Sequence, residues 1–499
     1  MSLENRKPTS KTSSIVVEED QLDSVHIEDS YQKTWKSNIW TNLDYSKEHR
    51  TILNKLDFCV LVSAMLSTFA KYIDKSNLSS AYVSGMKEAI GVEGNELSYA
   101  NTGYSIASII SGFVGGILMV TLNTRWYILT IESLWTLVTF CFVLIKTPTQ
   151  MIVLRTFIGL LEGSHFAVLM FLVGGYYLKI EVARRCNLIN AFTAIGPMCA
   201  YALQSRASAL LDKVNGYAGW QWCFLLDGII STGVLIFQFF FQVDKLESLT
   251  PNWFWSQEEI DYLRSRLPAK NKDENSRQIN KITLVDLKKF LLTWKVYPIW
   301  LYSILNNFVQ EPAAAIPFYF KGWNAIKPGS YTTPQINNLT IPLYAVQLLT
   351  SIVSGWLSDV VFKGDRWQVM AIGISWSTVV YFYLGTHKIF EAHRATILFF
   401  MYNSGVAQGV AGQFWAQAQD SFESDSKLRS FVTGGINPAS GVCGAIVGPL
   451  LYPSSKLPEV YTGYLVSGGA GIAYVLLSVL FGLYLYLEKK KTIEITNTC

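Results

Sequence analysis

Long apolar runs alternate with short polar breaks along nearly the whole chain. Roughly twelve of these runs reach the length, about 20 residues, that an α-helix needs to cross the hydrocarbon of a bilayer. They fall near 56–80, 98–120, 126–146, 150–178, 187–211, 220–242, 293–320, 339–358, 367–386, 394–418, 429–452 and 461–487. The pattern predicts an all-α polytopic membrane protein. The longest internal polar stretch, 243–292, splits the spans into an N-terminal six-helix half over 55–242 and a C-terminal half over 293–487. Within it, "SQEEIDYLRSRLP" has a capping box from Ser256 to Glu259, an amphipathic run and a stop at Pro268, which predicts a short cytoplasmic helix. Residues 1–54 are rich in Ser, Thr, Lys and Glu and predict a disordered tail; 488–499 form a second tail.

Composition agrees with the pattern. Half of the residues are hydrophobic and only 16% are charged, against about 25% charged in a soluble domain. Lys and Arg concentrate at the ends that are inner if both termini are cytoplasmic, in keeping with the positive-inside rule. The first 54 residues are polar, so no cleavable signal peptide is expected and the first span serves as the targeting signal. Seven dispersed cysteines make neither a disulfide framework nor a metal site. The five histidines form no cluster, which argues against an enzyme, a metal and a cofactor. Scattered basic residues give no support to nucleic-acid binding.

Charges inside the apolar runs are the chemically informative exceptions. A charge at the centre of a spanning helix costs about 2.5–3.5 kcal/mol on insertion scales, so each one needs a reason. In "FAKYIDKSNLSSAYVSGM", Lys71, Asp74 and Lys75 stand at i, i+3 and i+4 and share a face that must look inward. Their local sum is plus one, which suits an organic anion. The fourth run adds Glu162, with His165 one turn on and Arg155 two turns earlier. Asp74 and Glu162 are candidate proton carriers, with His165 beside them; Lys71 and Lys75 are candidate substrate cations. The structural alternatives are an Asp74–Lys75 ion pair between helices, a Glu162 that only accepts hydrogen bonds, and a packed His165. Asp227 reads as a helix-end or gating partner. In the second half the candidates are neutral: Asn306, Asn307 and Gln310 beside Glu311 and Pro312, then Tyr402, Asn403, Gln408, Gln413 and Trp415. These could bind hydroxyl or amide groups of a ligand, or only one another.

A trace of internal duplication is present. "GGILMVTLNTRW" closes the second run and "GWLSDVVFKGDRW" closes the eighth; both start with a glycine (Gly116, Gly355) and end in Arg-Trp (Arg125, Arg366). This resembles the G-x-x-x-D-x-x-G-R-[RK] loop of the major facilitator superfamily, with Asp359 kept in the second copy and no acid in the first. "YIDKSNLSSAYVSGMKE", "RTFIGLLEGSHF" and "GWQWCFLLDG" resemble first-, fourth- and sixth-helix motifs of its anion:cation symporter branch, the fungal allantoate permease family. Lys75 departs from that branch's usual Arg. A G-x-x-x-G-P-x-x-G-G motif, common in drug:proton antiporters, is reduced here to Gly196-Pro197.

The resemblance implies twelve helices in two pseudo-symmetric halves and alternating access. It implies a monomeric, proton-coupled importer of a small organic anion at the plasma membrane. Asp359, Arg366, Arg125, Arg155 and Asp227 become gating candidates. A monocarboxylate bearing hydroxyl and amide groups matches both the cations and the amides, and pantothenate has that form. Biotin, nicotinate, allantoate or a dipeptide are alternatives, and a nutrient sensor on a transporter fold is another.

Overall fold

With no water in the bilayer core, every backbone N–H and C=O must be satisfied within the protein, which leaves helices as the route for apolar runs of this length. A computed structural model describes residues 40–266, 284–362, 365–422, 426–453 and 456–498, and among them no strand occurs. Among the described residues, ten helical segments are long and apolar enough to cross a membrane. They are the first to sixth spans (Lys47–Ile90, Glu96–Met119, Thr124–Leu144, Pro148–Tyr176, Arg184–Leu210, Gly219–Phe241), the eighth and ninth (Thr333–Val361, Trp367–Thr386), and the eleventh and twelfth (Lys427–Leu451, Tyr461–Leu487).

The seventh and tenth spans, expected as continuous runs, are broken. The seventh is a helix Val296–Gln310, a 3-10 turn Glu311–Ala315 and a helix Ile316–Ile326. Pro312 and Pro317 sit in the first turns of the second and third pieces, where a missing N–H does least harm. The tenth is Arg394–Asn403, Gly405–Gly409 and Ala411–Ser421. Here the backbone is pressed against the eighth span. A Cβ on Gly405 would lie 2.6 Å from the Leu343 carbonyl, and one on Gly409 2.8 Å from that of Gln347. The Tyr381 hydroxyl of the ninth span donates to the Val309 carbonyl and lies 3.5 Å from that of Ser404, so one side chain serves both breaks.

The seam between the halves runs along the second and eleventh spans and along the fifth and eighth. Glycines of both loop repeats lie on it. A Cβ on Gly116 would stand 3.0 Å from the Gly434 Cα, and one on Gly355 3.0 Å from the Asn187 Cβ. Small residues let helices approach this closely, and hydrogen bonds then cross the seam: Ser430 to the Gly116 carbonyl (2.7 Å), Asn190 to Ser351 (3.1 Å) and Gln347 to Thr193 (2.8 Å).

The expectation of a disordered tail through residue 54 needs correction. Residues 1–39 lie outside the described residues. From Trp40 the chain is folded, as a 3-10 turn Thr41–Asp44 and a helix Lys47–Leu56 that continues into the first span. Its polar side chains find distant partners. Asn42 donates to Asp57 (2.7 Å), Tyr45 to Glu181 (3.1 Å) and Lys55 to Glu259 (2.6 Å). Glu259 lies on the helix Gln257–Ser265, which Ser256 caps; Pro268 is outside the described residues.

Candidate functional site

The inward face of the first span is set by close packing. A Cβ on Gly196 of the fifth span would meet the Phe69 carbonyl and the Tyr72 Cβ at 2.8 Å, so glycine lets the two helices touch just where the charges begin. Lys71 donates to the Glu162 carbonyl at 2.9 Å. Asp74 is buried and accepts from Thr139 at 3.1 Å; Glu162 is buried and accepts from Tyr104 at 2.9 Å. Each carboxyl keeps one buried oxygen without a partner. The two carboxyls are near neighbours in the interior.

Around this pair stand three more charged groups. Arg155 donates to the Lys75 carbonyl (3.2 Å) and stacks on Tyr104 (4.6 Å), with Asp74 within its field. Asp227 accepts from Asn77 at 2.6 Å, also near Asp74. Both were expected at gates, and both instead belong to the central cluster. Lys75 is exposed in area, yet its charged neighbours, Glu311, Arg155 and Glu162, all come from the interior. Its ammonium lies 5.4 Å from the Tyr72 ring. Lys75 therefore faces water-accessible space between the halves, with Glu311 of the seventh span across from it.

An ion-pair network ties the halves together at one end of the bundle. Arg184 of the fifth span bonds Asp359 of the eighth at 3.0 Å, joining the halves. Arg366 holds the same Asp359 at 2.9 Å and Asp420 at 3.0 Å. Arg125 differs from its repeat partner Arg366. It bonds the Phe239 carbonyl (2.6 Å) within its own half and stacks on Trp126. The first repeat lacks the acid that Arg366 holds in the second.

The sequence profile of the Major Facilitator Superfamily matches residues 64–321, just over half of the chain. The chain belongs to the Major Facilitator Superfamily. Among curated relatives, the MFS transporter PfmaC of Pestalotiopsis fici is 30% identical over 84% of this chain and 77% of its own length. The pantothenate transporter liz1 of Schizosaccharomyces pombe is 25% identical (85% and 80%). The pantothenate transporter FEN2 of Saccharomyces cerevisiae is 24% identical (83% and 80%). Among solved structures, the proton:xylose symporter XylE superposes with a TM-score of 0.67 at 14% identity, covering 85% of this chain and 95% of that one, which speaks for the fold alone. This facilitator is a multi-pass membrane transporter of small molecules and not an enzyme.

The second half of the facilitator brings only some of its candidates to the interior. Asn306 and Asn307 are half-buried with unpartnered side-chain carbonyls, and Asn307 lies beside Gly444 of the eleventh span. Gln408 reaches the Gln310 carbonyl at 3.4 Å, joining the two broken spans. Gln413 is fully buried with both amide atoms unpartnered. Tyr402 is engaged with the Leu339 carbonyl (2.8 Å), and Trp415 packs edge-on against Phe166 of the other half at 4.9 Å. Asn403 is turned instead toward Trp376 (3.1 Å), beside the exposed ring of Phe399, and belongs to the bundle's outer surface.

His165 has a partner that sequence reasoning missed. It bonds Glu132 of the third span at 3.0 Å, away from the Asp74–Glu162 contact. The signal was available: Glu132 in "LTIESLW" is an acid inside an apolar run, the same criterion that singled out Glu162.

Proposed function

We propose that this facilitator is a proton-coupled symporter that imports a small organic carboxylate, pantothenate foremost, across the plasma membrane. In this reading it acts as a monomer with both termini in the cytoplasm. The observation that carries the proposal is the pair of buried carboxyls, Asp74 and Glu162, each with an oxygen lacking a partner, set beside Lys71, Lys75 and Arg155. Open to the outside, the pair takes up a proton. Lys75, relieved of one nearby anion, binds the substrate carboxylate, while the amides of Asn306, Asn307 and Gln310 meet its hydroxyl and amide groups. The loaded site then carries less net charge, and the halves rock about it, which breaks the Arg184–Asp359 bond and releases proton and substrate inside. The two pantothenate transporters among the relatives support the choice of substrate.

The test is growth of a yeast strain that lacks its own pantothenate carrier and β-alanine synthesis. With this gene it should grow on pantothenate, and uptake should fall as external pH rises from about 5 to about 7.5, because the carboxyls load their proton from that side. Glu162→Gln should lose accumulation but retain exchange of labelled for unlabelled substrate. Failure of rescue despite surface expression, together with rescue of a biotin or allantoate transport mutant, moves the substrate to that carboxylate. Accumulation by Glu162→Gln at the wild-type level refutes the proton assignment.

A further inference from the structure

A further carboxylate, Glu132, is buried in the N-terminal half with no part in the mechanism above. Glu132 is 2% exposed, and three other helices supply its partners. Its Oε1 meets His165 Nε2 of the fourth span at 3.0 Å and Gln238 Nε2 of the sixth at 3.1 Å, and the Ser67 hydroxyl of the first span donates to it. That hydroxyl also touches His165 Nε2. His165, Ser67 and Gln238 are each fully buried, and the Trp135 ring meets the imidazole edge-on at 4.8 Å. The Nδ1 nitrogen of His165 is buried without a partner. An unpaired carboxylate this deep would be costly, and this one is held against an imidazole, the side chain best suited to take and return a proton.

The cluster is joined to the transport site by helix spacing. Ser67, Lys71 and Asp74 stand at i, i+4 and i+7 on one face of the first span, and Glu162 and His165 at i and i+3 on the fourth. Contacts pair them in order, Ser67 with His165 and Lys71 with the Glu162 carbonyl, and the Asp74 carboxyl has that of Glu162 as a near neighbour. The charged groups that reach His165 are Glu132, Lys71 and Glu162. From the sixth span the nearest neighbour is the neutral Gln238, with Asp227 three turns away. Along the first span, Ser67 lies between Asp74 and Asp57. Asp57 bonds Arg185, next to Arg184 of the ion-pair network, so the cluster lies on the network's side of the carboxyl pair.

We infer that Glu132 and His165 form a second proton-holding site, through which the proton loaded at Asp74–Glu162 leaves toward the end of the bundle that holds the network. The step is a plain proton transfer. A carboxyl of the Asp74–Glu162 pair returns to carboxylate, and the Glu132–His165 pair goes from a net charge of minus one to zero until it deprotonates to the far side. Lys71 stands between the two sites and favours the carboxylate left behind. Glu132 touches no substrate in this scheme, so its loss separates proton movement from substrate movement. The inference rests on the symport reading above.

The experiment uses the full-length protein in proteoliposomes enclosing a pH dye, with pantothenate as the probe. Net proton-coupled uptake and pantothenate exchange are measured for wild type, Glu132→Gln, Glu132→Asp and His165→Gln. Glu132→Gln should lower net proton-coupled flux by about tenfold or more while exchange persists, and Glu132→Asp should recover part of the flux. If Glu132→Gln does not assemble, His165→Gln should show the same split. Proton flux at the wild-type rate in Glu132→Gln or His165→Gln overturns the inference. So does an equal loss of exchange and flux that Glu132→Asp fails to repair, which is what a merely structural role would give. A wild type that exchanges pantothenate without moving protons removes the symport reading and this site together. A wild type that couples, alongside a Glu132→Gln that couples equally, removes this site alone.

Discussion

Arg184 and Arg185 are neighbours in the chain and bond to different halves of the transporter. Arg184 reaches Asp359 across the seam at 3.0 Å; Arg185 reaches Asp57 of its own half at 2.8 Å. Consecutive helical residues point about 100° apart, so one turn of the fifth span can hold a pair that crosses the seam next to one that stays within its own half. Arg185 is further tied to Asn42 (2.8 Å) and lies over the Tyr177 ring at 4.1 Å, which anchors the folded segment from Trp40 to that half.

The ion-pair network across the seam has an internal order of importance. Asp359 serves two arginines, Arg184 and Arg366, and Arg366 also holds Asp420. Asp359→Asn should therefore weaken closure of this end more than Arg184→Gln does. Removing one partner of a buried pair costs about 3–5 kcal/mol. Labelling of a cysteine introduced just inside the network should rise in the order wild type, Arg184→Gln, Asp359→Asn; the reverse order would refute the arrangement.

Lys75 tests charge selection. Lys75→Gln should lower carboxylate uptake by about tenfold or more, while Lys75→Arg, which keeps the charge on a planar fork, should retain a good part of it. Normal uptake by Lys75→Gln would move the substrate carboxylate to Lys71 or Arg155.

Gly196 tests how the first span is held. The Cβ of Gly196→Ala would press on the Phe69 carbonyl and Tyr72 Cβ at 2.8 Å. Overpacking of this kind costs about 1–3 kcal/mol, and because Tyr72 lies between Lys71 and Asp74, uptake should fall with thermal stability in detergent. Unchanged melting and uptake would show that the helices do not meet there.

Glu259, on a helix outside the spans, predicts a pH effect through its bond to Lys55. Burial raises the Glu259 carboxyl, but the hydrogen bond from Lys55 and the backbone donor of Ser256 outweigh it and hold the group below its ordinary value. A lowered carboxyl stabilises the fold fully above the unfolded value of about 4.3, and the contribution is lost as pH falls through the folded value. The pair is partly exposed, so the effect is about 1 kcal/mol or less. Glu259→Gln should melt slightly below wild type at neutral pH, and the gap should close in acid. A gap that persists or widens there would refute the assignment.

Hydropathy is local and nearly additive, so the ten spans found among the described residues, the runs of the seventh and tenth spans and the positions of Lys71, Asp74, Lys75 and Glu162 could all be read along the chain. Glu132 stood in the same kind of run and was equally legible. Pro312 was visible too, since a proline removes a donor wherever it sits, but the run around it was still read as one continuous span.

Partnership is not local, and there the linear reading failed. Arg155 and Asp227 looked like gate residues from their places near helix ends, and only packing of the first, second, fourth and sixth spans brought them to Lys75, Tyr104 and Asn77. The break around Ser404 depends on how closely the eighth span approaches Gly405 and Gly409. The segment from Trp40 to Leu56 has the composition of a solvated tail and is ordered by Asp57, Glu181, Arg185 and Glu259, up to about two hundred residues away. Composition determines which residues can lie in lipid. Which buried charge meets which depends on contacts between residues far apart in the chain, and those exist only once the whole bundle has packed.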